Sequence, residues 1–421
     1  MLNSINNIRK NTYVMQIITL MSGTLFAQVI MLGSIPILTR LYTPSEFGFY
    51  SLFISIITIV GNISSLKYEQ AIMLPKNNKD ANALLFLSLI ITLATSLLSL
   101  FIVIIFNSFI LNYFNNNKVL VYLIPLGILL IGVLQILNAY SSRNQFYKTM
   151  AKGRVLNSIN ISLIQIGTKY FQNFNGLILG KLVSDFITIV YFINIHIKKN
   201  TLQLRHISIR RTKFNINKHH HFPKYQAPTV FMNSISQNIP ILLLGFLYSA
   251  EVAGFYALTI RVLQAPINLI GASTREVFYQ KASKLHANKE NFFNLYYKTT
   301  INLFKLFLIP LLVILFFGEE IYSFIFGSKW STSGSYSQIL IFWILFLFIN
   351  SPSIMSFSIL SLQKVQMYIE IVSVILRLSS ILLGFFIFNS AYSSITAFMI
   401  SSVLVNAFVI IFIFLKLKKG L

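Results

Sequence analysis

The run ALLFLSLIITLATSLLSLFIVIIF (Ala83–Phe106) carries no charged residue and is apolar at most of its positions. A bilayer core is about 30 Å thick, and a helix needs about 20 such residues to cross it. The run therefore predicts a transmembrane helix. The rest of the chain is similar, since 55% of its 421 residues are hydrophobic and only 10% are charged, against about 25% charged in soluble domains. The composition predicts an integral membrane protein.

Eleven further apolar runs bring the prediction to twelve transmembrane helices in an all-α, polytopic fold. The predicted spans are Val14–Leu38, Phe47–Leu66, Ala83–Phe106, Val119–Tyr140, Val155–Tyr170, Leu177–Ile197, Pro228–Leu247, Ala253–Ala272, Tyr297–Phe317, Tyr336–Leu360, Val365–Phe388 and Ser394–Leu415. The fifth is the shortest, and Gln165 and Gly167 interrupt it. An even number of spans places both chain ends on one side of the membrane.

The chain holds 34 Lys and Arg residues against 10 Asp and Glu, which gives a net charge of +24. In a soluble protein this excess would indicate nucleic acid, but in a membrane protein basic loops stay in the cytoplasm. Most basic residues fall in alternate loops. The other side of the membrane receives only Arg40, Lys118, Lys169 and Lys329. We therefore expect cytoplasmic N- and C-termini and no nucleic-acid partner.

A short motif repeats after the first and seventh spans, as Glu46-Phe-Gly-Phe-Tyr50 and Val252-Ala-Gly-Phe-Tyr256. The repeat predicts two pseudo-symmetric six-helix bundles related by an axis along the membrane normal. We place the N-terminal lobe at residues 1–200, a basic cytoplasmic linker at 201–224 and the C-terminal lobe at 225–421. The linker contains His219-His220-His221, but no Cys, Asp or Glu that would complete a preferred zinc site. We expect neither a metal site nor a cofactor.

Five charged residues lie inside predicted spans: Lys181, Asp185, Arg261, Lys305 and Arg377. A charge at mid-bilayer costs at least about 3 kcal/mol on insertion scales, so it usually faces protein or water. Arg261 lies about nine residues, or roughly 13 Å, from either end of its span, and Arg377 is similarly central. For these two arginines the sequence favours a substrate-binding cavity over a structural hydrogen bond between helices.

The remaining polar residues in the spans leave alternatives open. Lys305 lies near a span end and either lines the cavity or extends to the membrane surface. Lys181 and Asp185, four residues apart on one helix face, form either a structural ion pair or a titratable, cation-binding site in a transport path. The amides that we assign to the cavity lining are Gln28, Gln237, Asn238 and Gln264. Other amides hold helices together.

No catalytic constellation or nucleotide-binding motif occurs in the sequence, which favours a secondary transporter and not an enzyme. Three alternatives remain open. A multidrug or cation antiporter would suit organic cations, whereas the in-span charges here are mostly basic. A membrane polysaccharide polymerase would be expected to carry a large outer loop. A structural scaffold would not need charges at mid-bilayer.

Four segments resemble bacterial polysaccharide repeat-unit flippases of the multidrug/oligosaccharidyl-lipid/polysaccharide exporter superfamily. They occur in the family's order over most of the chain. The segments are PILTRLYTPSEFGFY (Pro36–Tyr50), KYEQAIMLP (Lys67–Pro75), FPKYQAP (Phe222–Pro228) and FGSKW (Phe326–Trp330). The resemblance implies two six-helix bundles, a central cationic cavity and alternating access. It also implies residence in the bacterial cytoplasmic (inner) membrane.

The resemblance further implies a substrate, namely an oligosaccharide on undecaprenyl pyrophosphate, which moves to the outer leaflet for O-antigen, lipopolysaccharide or capsule assembly. Related lipid II flippases place a cavity arginine five residues before a proline in helix eight, and Arg261 and Pro266 match that spacing. The twelve predicted spans favour the repeat-unit branch, because lipid II flippases often have more. Expected partners are membrane lipid, H⁺ or Na⁺ as coupling ion, and polysaccharide polymerase and chain-length proteins.

Overall fold

The structure is a computed structural model that describes residues 12–114, 117–169, 176–201 and 209–419. Every regular element in these ranges is helical. The helices of the first part are α1 (Thr12–Leu41), α2 (Pro44–Gly61), α3 (Tyr68–Ala71), α4 (Asn78–Ile105), α5 (Asn107–Tyr113), α6 (Lys118–Arg143), α7 (Tyr147–Thr168), α8 (Gly176–Lys198) and α9 (Ile209–Lys218). Those of the second part are α10 (Ala227–Leu247), α11 (Ala250–Pro266), α12 (Ala272–Ala287), α13 (Phe293–Phe326), α14 (Ser331–Ile349), α15 (Ser351–Ile359), α16 (Gln363–Phe388) and α17 (Ala391–Lys418).

Ten helical segments of the described chain are long and apolar enough to cross a membrane. They are Thr19–Leu41, Pro44–Gly61, Asn78–Ile105, Lys118–Arg143, Gly176–Lys198, Phe222–Leu247, Phe293–Phe326, Ser328–Ile359, Gln363–Phe388 and Ala391–Lys418. Their apolar side chains remain exposed along much of their length, for example Phe101 of α4 and Phe324 of α13. Such surfaces suit lipid and not water. The protein is a multi-pass membrane protein, as the composition predicts.

Helices also stand at the fifth and eighth predicted spans, but their sequences are more polar. Helix α7 begins at Tyr147, eight residues before the predicted start at Val155, so Lys148, Lys152 and Arg154 lie within a helix and not in a loop. Helix α11 ends at Pro266, and a π-helical turn (Ile267–Gly271) connects it to α12. A total of twelve spans therefore stays a prediction, as do the cytoplasmic termini.

The predicted orientation can be tested with reporter fusions. Paired fusions of alkaline phosphatase, active only outside, and a fluorescent protein that matures only in the cytoplasm should read outside after Lys118 and Lys329. Fusions within residues 198–224 should read inside, because this segment holds a dense group of basic residues. A cytoplasmic reading at Lys329 would contradict the twelve-span topology.

The chain divides into two compact units. Unit 1 comprises Met1–Tyr42 and Phe49–Ile239, and unit 2 comprises Thr43–Gly48 and Pro240–Leu421. This division falls within α10, at the proline of the segment Gln237-Asn238-Ile239-Pro240. The sequence interpretation instead separates two lobes at the linker 201–224, and those lobe boundaries stay a prediction.

Unit 1 is built around tight contacts between α1, α7 and α8, and between α4 and α6. Small residues permit these approaches: a methyl group built on Gly23 of α1 would lie only 2.6 Å from the Cβ of Ala151 in α7. At the end of α6, Tyr140 is buried, with its hydroxyl 2.8 Å from Asn82 Oδ1 and 2.6 Å from the carbonyl oxygen of Thr201. Small residues and interhelical hydrogen bonds are the usual means of helix association in membranes.

The linker helix α9 packs on unit 1. Arg211 of α9 lies 3.9 Å from the carboxylate of Asp80, in the first turn of α4. The hydroxyl of Tyr68 donates to the carbonyl of Ile216 at 3.4 Å. The basic linker is thus anchored to the end of a membrane-spanning helix.

The histidine run after α9 begins with a buried side chain. His219 is only 4% exposed. Burial lowers its pKa below the ordinary value of 6.5, the charges of Lys218 and His221 lower it further, and Asp80 opposes the shift. His219 is therefore neutral at physiological pH. Within the described residues, no three or more His, Cys, Asp or Glu side chains are grouped so that they could hold a metal ion.

Unit 2 has an apolar core between α12, α13, α15 and α17, which includes Phe278, Tyr296 and Ile413. Buried amides connect its helices: Asn350 Nδ2 donates to Asn406 Oδ1 of α17 at 2.8 Å. The buried Tyr296 hydroxyl lies 2.9 Å from Ser353 Oγ and 3.0 Å from the carbonyl of Ile410.

Among the glycines of unit 2, those of the repeated sequence motif lie closest to the backbone of a neighbouring helix. A methyl group built on Gly48 of α2 would lie 1.6 Å from the carbonyl oxygen of Ala250 in α11. One built on Gly254 would lie 2.0 Å from the carbonyl oxygen of Pro44. The two motif glycines therefore face each other's helices reciprocally. Each is needed because no other residue lets the backbones come so close.

Candidate functional site

A polar cavity of about 370 Å³ lies inside unit 1, between α1, α6, α7 and α8. It is lined by Thr24, Ala27, Gln28, Met31, Leu134, Asn138, Gly153, Arg154, Asn157, Ser158, Lys181, Asp185, Thr188 and Phe192. Three of the predicted site residues, Gln28, Lys181 and Asp185, thus line one cavity. Polar side chains are rare on membrane helices unless they face protein or water.

Asp185 is the central acid of this cavity and is only 1% exposed. Lys181, one turn earlier on α8, donates from its ammonium nitrogen to Asp185 Oδ2 at 2.5 Å. Asn157 of α7 donates from Nδ2 to the other oxygen, Oδ1, at 3.0 Å. Each oxygen of the carboxylate thus accepts a hydrogen bond from a different side chain, one on α8 and one on α7.

Asn157 joins α7 to α8 at three points. Besides its bond to Asp185, its Nδ2 donates to Thr188 Oγ1 at 3.0 Å. Its backbone carbonyl accepts a bond of 2.8 Å from Ser184 Oγ. The helices come close enough for these bonds because small residues lie between them: a Cβ on Gly153 would contact the Phe192 ring at 2.9 Å.

Arg154 supplies a second cation to the cavity. It lies in the second turn of α7, and its guanidinium donates to Thr24 Oγ1 of α1. Gln28 lies one turn beyond Thr24 on α1 and is half-buried. The cavity wall thus carries two cations and one acid, together with amide and hydroxyl groups. The surplus of positive charge suits an anion.

The remaining predicted residues of unit 1 stand on α10. Gln237 is exposed, and its amide donates to Asn233 Oδ1 one turn earlier at 3.1 Å. Asn238 donates to the carbonyl of Ser234 at 2.8 Å. Neither residue is among those that line the polar cavity. Their assignment to the cavity lining stays a prediction.

Four predicted residues belong to unit 2. Arg261 is half-buried near the middle of predicted span eight, and no hydrogen bond or ion pair is found for it among the described residues. Gln264 follows one turn later and is also half-buried. Lys305 is exposed on α13, between the exposed side chains of Phe304 and Leu306. This exposure is compatible with extension to the membrane surface.

Arg377 of α16 is half-buried. Its Nε is buried and has no hydrogen-bond acceptor among the residues that the structure describes. Electrostatic interactions connect it to Glu370, two turns earlier on α16, and to the buried Tyr256 of α11. Tyr256 lies five residues before Arg261. An unsatisfied guanidinium N–H inside a membrane protein is a feature that calls for an acceptor.

Two cavity residues escape the sequence reasoning. Arg154 reads as a loop residue, because the apolar run that marks the span begins only at Val155. Asn157 is a single amide on a moderately polar helix, and nothing in the linear pattern connects it to Asp185, 28 positions later. The signal that would have identified both is the helical spacing of Arg154, Asn157 and Ser158, which puts polar residues where α7 packs on α8.

Residues 37–335, well over half of the chain, match the family model described as "Polysaccharide biosynthesis protein". The chain belongs to this family. Among proteins with curated descriptions, none matches the sequence.

Solved structures show which fold this family member has. The lipid II flippase MurJ in an inward closed conformation is similar with a TM-score of 0.72 and 16% identity, over 95% of this chain and 90% of the other. An inward-facing MATE multidrug resistance transporter of the MOP superfamily is similar with a TM-score of 0.63 and 12% identity, over 96% of this chain and 95% of the other. An outward-facing MATE transporter is similar with a TM-score of 0.60 and 12% identity, over 96% of both chains. The fold is that of MOP-superfamily transporters.

Proposed function

We propose that this protein flips undecaprenyl-pyrophosphate-linked oligosaccharide repeat units from the inner to the outer leaflet of the bacterial cytoplasmic membrane, by alternating access. The products serve O-antigen, lipopolysaccharide or capsule assembly. The observation that carries the proposal is the polar cavity of unit 1, whose lining includes Arg154, Lys181 and Asp185. Membership of a polysaccharide biosynthesis family supports a saccharide cargo. The similar fold of MurJ, a lipid II flippase, supports a lipid-linked one.

The cation content of the helices suits a pyrophosphate headgroup. A guanidinium binds phosphate oxygens through two parallel hydrogen bonds. Arg261 and Arg377 of unit 2 have donors without acceptors among the described residues. A desolvated phosphate at mid-membrane gains most from such fixed positive charge. The amide and hydroxyl groups of Gln28, Gln264 and similar residues suit the sugar hydroxyls, while the prenyl chain stays in lipid.

Asp185 is our candidate for coupling to H⁺ or Na⁺. Its carboxylate is buried and accepts one bond from Lys181 and one from Asn157. Uptake of a proton would release Lys181, whereas a bound Na⁺ would replace its ammonium group as the counter-charge. Either event changes the charge of the cavity wall by one unit, which is the kind of change that biases a transporter between two states.

The coupling role predicts that Asp185→Asn decouples transport from the ion gradient. The substitution keeps the size of the side chain but removes its charge and its titration, so transport should fall at least about tenfold under an imposed H⁺ or Na⁺ gradient. The measurement is translocation of a fluorescent lipid-linked oligosaccharide in proteoliposomes with and without each gradient. Glu290→Gln, at an exposed carboxylate between α12 and α13, is the matched control and should leave transport unchanged. Gradient-dependent transport at the normal rate in Asp185→Asn would rule out the coupling role.

The proposed function itself is tested by the same proteoliposomes with three cargoes. An undecaprenyl-pyrophosphate oligosaccharide should become accessible to a glycosidase outside the vesicle, whereas the same oligosaccharide without lipid should not cross. Gradient-driven movement of an organic cation, without movement of the lipid-linked sugar, would instead establish an antiporter. We do not expect that outcome, because the excess of basic over acidic groups within the membrane helices would repel a cationic cargo.

A further inference from the structure

A second concave site of about 570 Å³ lies on unit 1, where α1, α7 and α8 meet. It shares no residue with the polar cavity around Asp185. The two sites use different faces of α1 and α7. This groove is almost wholly apolar apart from two lysines, Lys148 and Lys152, and so has a different chemistry from the polar cavity.

The groove follows one stripe of α7. Lys148, Lys152, Val155 and Ile159 recur at intervals of three or four residues and therefore share one helix face. The two cations stand at the start of the stripe, and apolar side chains continue it. From Lys148 to Ile159 the stripe rises about 17 Å, roughly half the 30 Å bilayer core. Its length therefore matches one leaflet.

The two lysines of the groove stand near the start of α7. The start of α7 adjoins the end of α8, because the rings of Phe146 and His196 stack with centroids 5.4 Å apart. Lys199, just beyond α8, places its ammonium nitrogen 3.8 Å from the centre of the Phe146 ring. Because basic residues at helix ends are typical of the membrane surface, we expect this end of the groove at the lipid headgroups. Tyr191 of α8, an amphipathic side chain of a type enriched at membrane interfaces, also lines the groove.

The groove has two free hydrogen-bond donors and an exposed apolar surface. Both lysine side chains are exposed, and no ion pair or hydrogen bond is found for either among the described residues. Beyond them, Phe26 of α1 forms the opposite wall and is 67% exposed. The two unpaired lysines suit an anionic headgroup, and the apolar groove, about one leaflet long, suits an acyl chain of the same lipid. A soluble anion would leave the channel empty, and an uncharged lipid would leave the lysines unused.

We propose that this groove binds an anionic glycerophospholipid of the surrounding leaflet. Its phosphate contacts Lys148 and Lys152 through charge-assisted hydrogen bonds, and one acyl chain lies along Val155 and Ile159 against Phe26. The lipid would cover one face of the α1–α7 contact, and the hydrogen bond from Arg154 to Thr24 belongs to the separate polar cavity. The inference does not depend on what the protein transports.

The test measures lipid binding to the delipidated full-length protein in detergent by native mass spectrometry. Phosphatidylglycerol should bind more tightly than phosphatidylcholine with the same acyl chains. The double variant Lys148→Gln/Lys152→Gln should bind phosphatidylglycerol about 30-fold more weakly, since each lysine near anionic headgroups contributes about one further factor of five. Lys76→Gln/Lys79→Gln removes two exposed lysines elsewhere on unit 1 and should bind normally. Equal affinity for the two lipids, or no loss in the double variant, would overturn the proposal.

A second measurement locates the acyl chain and does not depend on the lysine variants folding well. Because the chain contains no cysteine, an Ile159→Cys variant carries a single thiol in the groove. Phosphatidylglycerol should protect this thiol from an apolar maleimide in proportion to the lipid bound, and phosphatidylcholine should not. Labelling that is insensitive to phosphatidylglycerol would overturn the proposal. Protection by undecaprenyl phosphate at lower concentration than phosphatidylglycerol would also overturn it, because the groove would then prefer a prenyl lipid.

Discussion

Replacing Arg261 by alanine is expected to reduce surface polysaccharide to the background of a flippase-deleted host. Arg261 is a half-buried cation near the middle of its predicted span, and it has no acceptor among the described residues. Its guanidinium group is therefore free to bind a pyrophosphate. Arg261→Lys keeps the charge but loses the paired hydrogen bonds, so polymer should fall about tenfold. The measurement is cell-surface polymer after complementation with each variant.

Two controls separate substrate binding from folding. Arg275→Ala removes another half-buried arginine of unit 2, but one that lies beyond the predicted span, and it should support normal polymer. The amount of each variant in the membrane is measured in parallel, because loss of polymer together with loss of protein would show only a folding defect. Normal polymer from Arg261→Ala at a normal protein level would eliminate Arg261 from the substrate path.

Adding a single methyl group at Gly48 is expected to destabilise the protein severely. In Gly48→Ala the new Cβ would stand 1.6 Å from the carbonyl oxygen of Ala250, a backbone atom that has no other rotamer. The starts of α2 and α11 must then move apart, at a cost of about 3 kcal/mol or more. We expect a clear loss of protein from the membrane and a lower midpoint of thermal unfolding in detergent.

The matched control is Gly33→Ala in α1, where no atom beyond the neighbouring residues and nearby backbone of its own helix lies within 4 Å of the added Cβ. A helical glycine in open space gains stability when it becomes alanine, by roughly 0.5–1 kcal/mol. The two variants should thus shift the unfolding midpoint in opposite directions. If Gly48→Ala is as stable as Gly33→Ala, the close contact of the repeated motifs is not required.

Much of the fold follows from local sequence. The apolar run Ala83–Phe106 appears as α4, Asn78–Ile105, because length and hydropathy alone decide whether a helix can cross a bilayer. The motifs between Pro36 and Trp330 also indicate the family to which the chain belongs. Even the pair Lys181 and Asp185 was predictable, since residues four apart on a helix share a face by geometry.

Other features depend on which helices pack together. The sequence does not predict the start of α7 at Tyr147, because the beginning of this helix carries Lys148, Lys152 and Arg154. Contacts with other helices stabilise it there, such as the hydrogen bond from Arg154 to Thr24 of α1. The repeated motif was visible in the sequence, yet its purpose appears only when Gly48 and Ala250 meet across about 200 residues of chain.

The sequence by itself determined that the chain is helical, crosses a membrane repeatedly and places charges within its spans. The tertiary structure decided which of those charges share a cavity: Asp185 contacts Asn157 and lines the same cavity as Arg154 and Gln28, whereas Gln237 makes its contact on its own helix. The physical reason is the range of the interactions. Hydropathy and i, i+4 spacing act along one helix, but a hydrogen bond between helices requires two distant segments to be brought within about 3 Å.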